Sequence, residues 1–224
     1  DQAEAAVSHE SHQVDTQSHD TAETTKLLSA LSGYMPVEAR HEIAFVDPTV
    51  PNYRELLSGM DPSIEVIVLD GSKDGVQQMA SALSGRTGID AIHIVSHGNA
   101  GELQLGTGML TAESMTQQYV AALSIIQQAL SGQADILVYG CDFAEGEMGQ
   151  TAVNRLAELT GADIEASNDL TGFAALGGNW NLEVHTGSIE TRIAIDTQVQ
   201  MDWTYLLSSN SAPTLDASKS PTFT

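Results

Sequence analysis

The chain has 224 residues, 42% of them apolar, which suffices for one ordinary domain with a real core plus tails. Its 30 acidic residues against 8 basic ones give a formal charge of −22, which repels phosphate backbones and anionic lipid heads and argues against nucleic acid as a partner. It contains no apolar run of the roughly 18 residues that a bilayer span needs, so no membrane insertion is expected, and its single cysteine excludes an intramolecular disulfide.

Residues 1–33 are rich in Asp, Glu, Ser, Thr, Gln and His and read as a disordered acidic arm, with a short helix around Lys26–Leu31. The spacing of His9, His12 and His19 fits no closed metal site. From residue 34 the pattern alternates, as a parallel sheet with covering helices requires. Strands are expected at Glu42–Asp47 and Ile64–Asp70, and helices at Tyr53–Met60 and Asp74–Leu83, the second with Val76, Met79, Ala80 and Leu83 on one face. The oxygen-bearing run Asp70–Gly75 partly mimics a calcium loop, but Ser81 stands where an EF-hand needs a bidentate glutamate, so the run reads as a turn with a helix cap. A third strand runs from Ala91 to Ser96, followed by a Gly-rich excursion through Gly106 that can form a hairpin and a long helix over Thr111–Leu130 capped by Thr111 and Ser114. A fourth strand, Ile136–Gly140, leads to Cys141; a helix over Met148–Thr160, a strand over Ala162–Ala166 and an antiparallel edge hairpin within Asn168–Thr186 follow. Residues 208–224, rich in Ser, Thr, Pro and Ala, read as a linker toward a following repeat domain.

Two positions carry chemistry. His97-Gly98 closes one apolar run and Cys141 closes the next. The carboxyl ends of neighbouring parallel strands meet at a crevice, which would bring imidazole and thiol together. A thiol is little ionised at neutral pH and needs a base beside it, the role His97 can fill. The Gly98 and Cys141 amides can then form an oxyanion hole. His93, in the opposite strand phase from Ile92 and Ile94, reads as structural, as do His41 and His185; Trp180 and Trp203 read as packing residues.

The string Asp90-Ala-Ile-His-Ile-Val-Ser-His-Gly98, with Tyr139-Gly-Cys-Asp142, resembles the His-Gly and Cys motifs of the caspase-like cysteine peptidases, a group that includes caspases, legumains, gingipains and separases. With Leu170-Thr-Gly172 it is still more similar to an uncharacterised domain near the N-terminus of very large bacterial surface adhesins, where cadherin-like or calcium-binding repeats follow. The resemblance implies an α/β caspase-like three-layer sandwich over residues 34–207: a mostly parallel sheet, helices on both faces and an antiparallel edge hairpin. It implies a Cys-His dyad of Cys141 and His97, with Gly98 and Cys141 donating to the oxyanion. The substrate would be a peptide or protein, its own chain included, and the setting extracellular or on a bacterial surface. The alternative is a catalytically inactive interaction or export module at the head of an adhesin. The loop residues Asp142, Glu145, Asn168 and Asp169 would favour a basic side chain before the scissile bond. No cofactor is implied; calcium enters only by association with the repeats, since no ligand set in the chain predicts it.

Overall fold

Strands that are apolar on both faces belong in the middle of a parallel sheet, and three such runs form the centre here. The computed structural model describes residues 40–208. The acidic arm, the Lys26–Leu31 helix and the linker after Ser208 lie outside the described residues. The elements are β1 (Glu42–Val46), α1 (Tyr53–Ser58), β2 (Glu65–Val68), α2 (Gly75–Leu83) and β3 (Ile89–Val95), then β4 (His97–Asn99), β5 (Glu102–Leu105) and β6 (Gly108–Thr111). They continue with α3 (Ala112–Thr116), α4 (Val120–Ala129), β7 (Leu130–Tyr139), α5 (Gly146–Thr160), β8 (Asp163–Ala166), β9 (Val184–His185) and α6 (Thr197–Asp202).

The architecture is α/β. A six-stranded sheet has the order β2-β1-β3-β7-β8-β9, parallel throughout except for the antiparallel edge pair β8–β9. A separate antiparallel sheet, β4-β5-β6, forms from the Gly-rich excursion. On one face of the main sheet Ile43, Phe45, Ile92, Ile94, Ile136 and Val138 pack against α2, α4 and α5. On the other, Ala44, Val46, Val95, Leu137 and Tyr139 pack against α1, α6 and the irregular chain that carries Trp180 and Trp203. Helices therefore cover both faces, as expected.

Capping follows local chemistry. The Asp74 side chain caps α2 by accepting from the Gln77 amide at 3.1 Å, consistent with the turn reading of Asp70–Gly75. Thr111 and Ser114 form a reciprocal capping box on α3. The long helix expected over Thr111–Leu130 is instead two helices. Between them Tyr119 is buried, its hydroxyl donating to Asp74 at 2.9 Å and its amide to the Ser114 carbonyl at 2.9 Å, and this anchoring turns the chain. Leu130 then opens β7 rather than closing a helix. The hairpin expected within Asn168–Thr186 shrinks to β9, because most of that stretch covers the second face of the sheet as irregular chain.

His93 is structural, as expected: fully buried, it bonds Tyr139 and Glu42 at 3.0 Å each, while Tyr139 Oη accepts from the Ala194 amide. Trp203 and Trp180 meet edge to face with centroids 5.7 Å apart, and Trp203 Nε1 donates to the Pro51 carbonyl at 3.1 Å. Trp203 is fully buried, so it fastens the C-terminal chain to the sheet. Trp203→Ala should lower the unfolding free energy by about 3–5 kcal/mol in urea titrations, whereas Met201→Ala, at an exposed position, should change it by less than about 0.5 kcal/mol.

Candidate functional site

Strand periodicity sets which way the side chains at the carboxyl ends of β3 and β7 point. Val95 pairs in register with Tyr139, and both face the second core. Two residues further on, His97 and Cys141 continue the same phase, and Cys141 is part of that core cluster. The order of strands reverses between β1 and β3, so the loops leaving these strands part at the switch point where α/β sheets place their sites.

At that point the His97 ring is held by a group the sequence reading missed. Nε2 lies 3.1 Å from the Thr49 carbonyl oxygen, which can only accept, so Nε2 carries the proton and Nδ1 of the neutral ring is the acceptor. Nδ1 is buried and has no hydrogen-bond partner among the described residues. Thr49 is fixed in turn by Asp47, a fully buried carboxylate that accepts from the Thr49 amide at 2.8 Å, from the Thr49 hydroxyl at 2.6 Å and from the Gly106 amide. The signal for this support was the Asp47-Pro48-Thr49 turn sequence right after a strand.

Cys141 is fully buried. Its sulfur accepts from the Thr171 amide at 3.1 Å and lies 3.4 Å from the Thr171 carbonyl oxygen. Burial pushes the thiol pKa up to about 11, outweighing the Thr171 amide, which favours the thiolate. No hydrogen bond joins the sulfur to His97 among the described residues. The backbones on either side do touch: a Cβ added to Gly98 would stand 2.6 Å from the Cys141 carbonyl oxygen and 2.9 Å from the Gly140 carbonyl carbon, so only glycine fits there.

The chain's own C-terminal segment lies over this junction. The Leu207 carbonyl oxygen accepts from the Gly98 amide at 3.1 Å and from the Cys141 amide at 3.3 Å. The Leu207 amide donates to the Thr171 carbonyl at 2.9 Å, and the Phe173 amide donates to the Tyr205 carbonyl at 2.8 Å, so Tyr205–Leu207 runs antiparallel to Thr171–Phe173. The two amides named from sequence as oxyanion donors thus converge on one point. Leu207 and Thr49 are not marked by the sequence motifs, and Thr171 enters only within the Leu170-Thr-Gly172 string; the Leu206-Leu207 pair before a polar tail is the one signal of Leu207.

The four loop residues expected near the scissile position are placed as follows. Asp142 takes a left-handed turn (φ 59°), and its amide donates to the Asp169 carbonyl at 2.8 Å. Burial and the nearby Glu145 and Asp169 push its carboxyl pKa up. The Glu145 amide donates to the Asp142 carbonyl, the Asn168 amide bonds Glu183, and both Asp169 carboxylate oxygens accept from Asn179, at 3.0 and 2.8 Å. Leu207, by contrast, is buried in the apolar cluster with Val50, Cys141 and Trp203. His41 and His185 are exposed, away from this junction. Among the described residues no group of three or more His, Cys, Asp or Glu could hold a metal ion, and no helix is long and apolar enough to cross a membrane.

Since the thiolate is the reactive form, a thiol pKa near 11 implies slow alkylation that quickens as pH rises. The iodoacetamide rate at Cys141 should still be climbing above pH 9 in the folded chain, and in urea its midpoint should fall toward the ordinary thiol value of about 8.5. The rates are read by mass spectrometry of the Cys141 peptide.

No curated protein matches the chain. A family model described as a domain of unknown function, DUF4347, matches residues 43–207, from the first strand of the sheet to the residue whose carbonyl the two amides hold. The chain belongs to the DUF4347 family.

Proposed function

We propose that this domain is a cysteine endopeptidase of caspase-like type, with Cys141 as nucleophile, His97 as general base and acid, and the Gly98 and Cys141 amides as the oxyanion hole. The observation that carries the reading is the convergence of those two amides on a single carbonyl oxygen, at the backbone of a cysteine and of the glycine after an imidazole whose Nδ1 has no partner among the described residues. Sulfur attack on a carbonyl carbon held there moves charge onto the oxygen between the donors, which stabilise it more as that charge grows. Thr49 is a positioning residue that fixes the ring's tautomer, and Asp47 is one that fixes Thr49.

The parallel sheet, the His-Gly step after one strand and the cysteine after its neighbour support the caspase-like assignment. The acidic composition and the resemblance to the adhesin-associated domain support an extracellular or bacterial-surface setting, with residues 1–33 as an arm and 208–224 as a linker. One observation favours a second reading, a non-catalytic interaction or export module: the thiol is buried and its pKa is raised, which suppresses nucleophilicity at neutral pH.

A peptidyl acyloxymethyl ketone probe separates the two readings. Labelling should vanish in Cys141→Ala and fall by about 10²–10⁴-fold in His97→Ala, the usual contribution of a general base. Gly98→Ala should also lose labelling, because its new methyl group must push the His97 and Cys141 segments apart. Equal labelling of wild type and His97→Ala identifies a passive thiol and removes the peptidase reading.

A further inference from the structure

The segment that occupies the site is paired through its backbone on both sides, Leu206 bridging Gly172 antiparallel and Ser208 bridging Gly98 in parallel, as an added peptide strand would be. Tyr205–Leu207 is extended, and both ends of the stretch are tied by backbone bonds to Thr171 and Phe173. Its recognition is thus main-chain pairing, the mode by which an extended peptide is added to a strand. The Leu207 carbonyl oxygen lies between the two amide donors, the Leu207 side chain is fully buried, and Ser208 beyond it is only half-buried. A buried leucine, a polarised carbonyl and a more open following residue define one bond, Leu207–Ser208.

We propose that the domain cleaves its own chain at Leu207–Ser208, and that the pocket for the residue before the cut is apolar. The proposal rests on the peptidase reading above. In the step it describes, the Cys141 thiol gives its proton to His97 Nδ1 as the Sγ–C bond to the Leu207 carbonyl carbon forms. The carbonyl electron pair moves onto the oxygen held by the Gly98 and Cys141 amides. Its return breaks the Leu207–Ser208 C–N bond, and the proton on His97 passes to the departing Ser208 amine. Water from solvent, deprotonated by the same imidazole, then attacks the thioester, restoring the thiol and leaving Leu207 as a free carboxylate. Until that cut, Leu207 occupies both oxyanion donors, so a peptide from another chain must displace it to use them, and peptide and probe are supplied in large excess for that reason. The basic preference expected from the acidic loops is replaced by one for leucine-like residues, because Leu207 sits in the cluster with Val50, Cys141 and Trp203.

The test uses the full 224-residue chain in wild-type, Cys141→Ala, Leu207→Met and Leu207→Arg forms, each checked for folding by circular dichroism and followed by intact mass. An N-acetylated Tyr-Leu-Leu fluorogenic peptide and the ketone probe are assayed in parallel. Expected are a fragment ending at Leu207 and a new N-terminus at Ser208, absent in Cys141→Ala. The cleavage rate should not change across a wide dilution series, as a cis reaction requires, and Leu207→Met should be cut faster than Leu207→Arg. Faster cutting of Leu207→Arg overturns the apolar pocket, and a rate that falls on dilution overturns cleavage in cis. A chain that stays intact at Leu207–Ser208 while peptide or probe reacts at Cys141 overturns this inference and leaves the peptidase reading standing. No reaction of chain, peptide or probe removes both.

Discussion

The parallel pairing of β3 with β7 is the constraint on which the site depends. With Val95 opposite Tyr139, the chain leaves both strands at the same level of the sheet, and the alternation of side chains turns His97 and Cys141 toward one face. Close approach of the two exits then demands glycine at position 98, because a methyl group there would collide with the Cys141 carbonyl. A slip of one residue in this register would send one of these two side chains to the opposite face. The burial of Ile92, Ile94, Ile136 and Val138 on one side, and of Val95, Leu137 and Tyr139 on the other, opposes such a slip.

The Leu207 carbonyl has two physical consequences at once. A buried amide left without an acceptor costs about 1–3 kcal/mol, and this single oxygen satisfies both the Gly98 and Cys141 donors. Leu207 also packs in the cluster that buries Cys141, and that burial raises the thiol pKa to about 11. The protein thus holds a neutral thiol in the same buried cluster as Leu207, whose carbonyl is bound by the two donors that the proposed reaction would use. Trp203, edge to face with Trp180 and bonded to the Pro51 carbonyl, anchors the segment two residues before Tyr205.

Much of this was readable from residue pattern. The β-branched runs located all five parallel strands, and His97 and Cys141 were marked by the glycines beside them. What pattern could not locate was backbone chemistry. Thr49 and Thr171 act mainly through carbonyl and amide groups that every residue has, so their types carry no signal. Helical periodicity runs through Tyr119 without a break, while the Asp74 partner that breaks the helix is 45 residues away in sequence. Composition ends the domain at Leu207, since it shows where apolar chain stops and not where its last carbonyl goes.

The acyl-enzyme is the species on which the account stands, and hydroxylamine intercepts it most directly. If Cys141 attacks the Leu207 carbonyl, incubation of the full chain with hydroxylamine should give a fragment whose C-terminus is a Leu207 hydroxamate, detected by mass spectrometry and absent from Cys141→Ala. A fragment that carries only the free carboxylate even at high hydroxylamine concentration would contradict a thioester at this site.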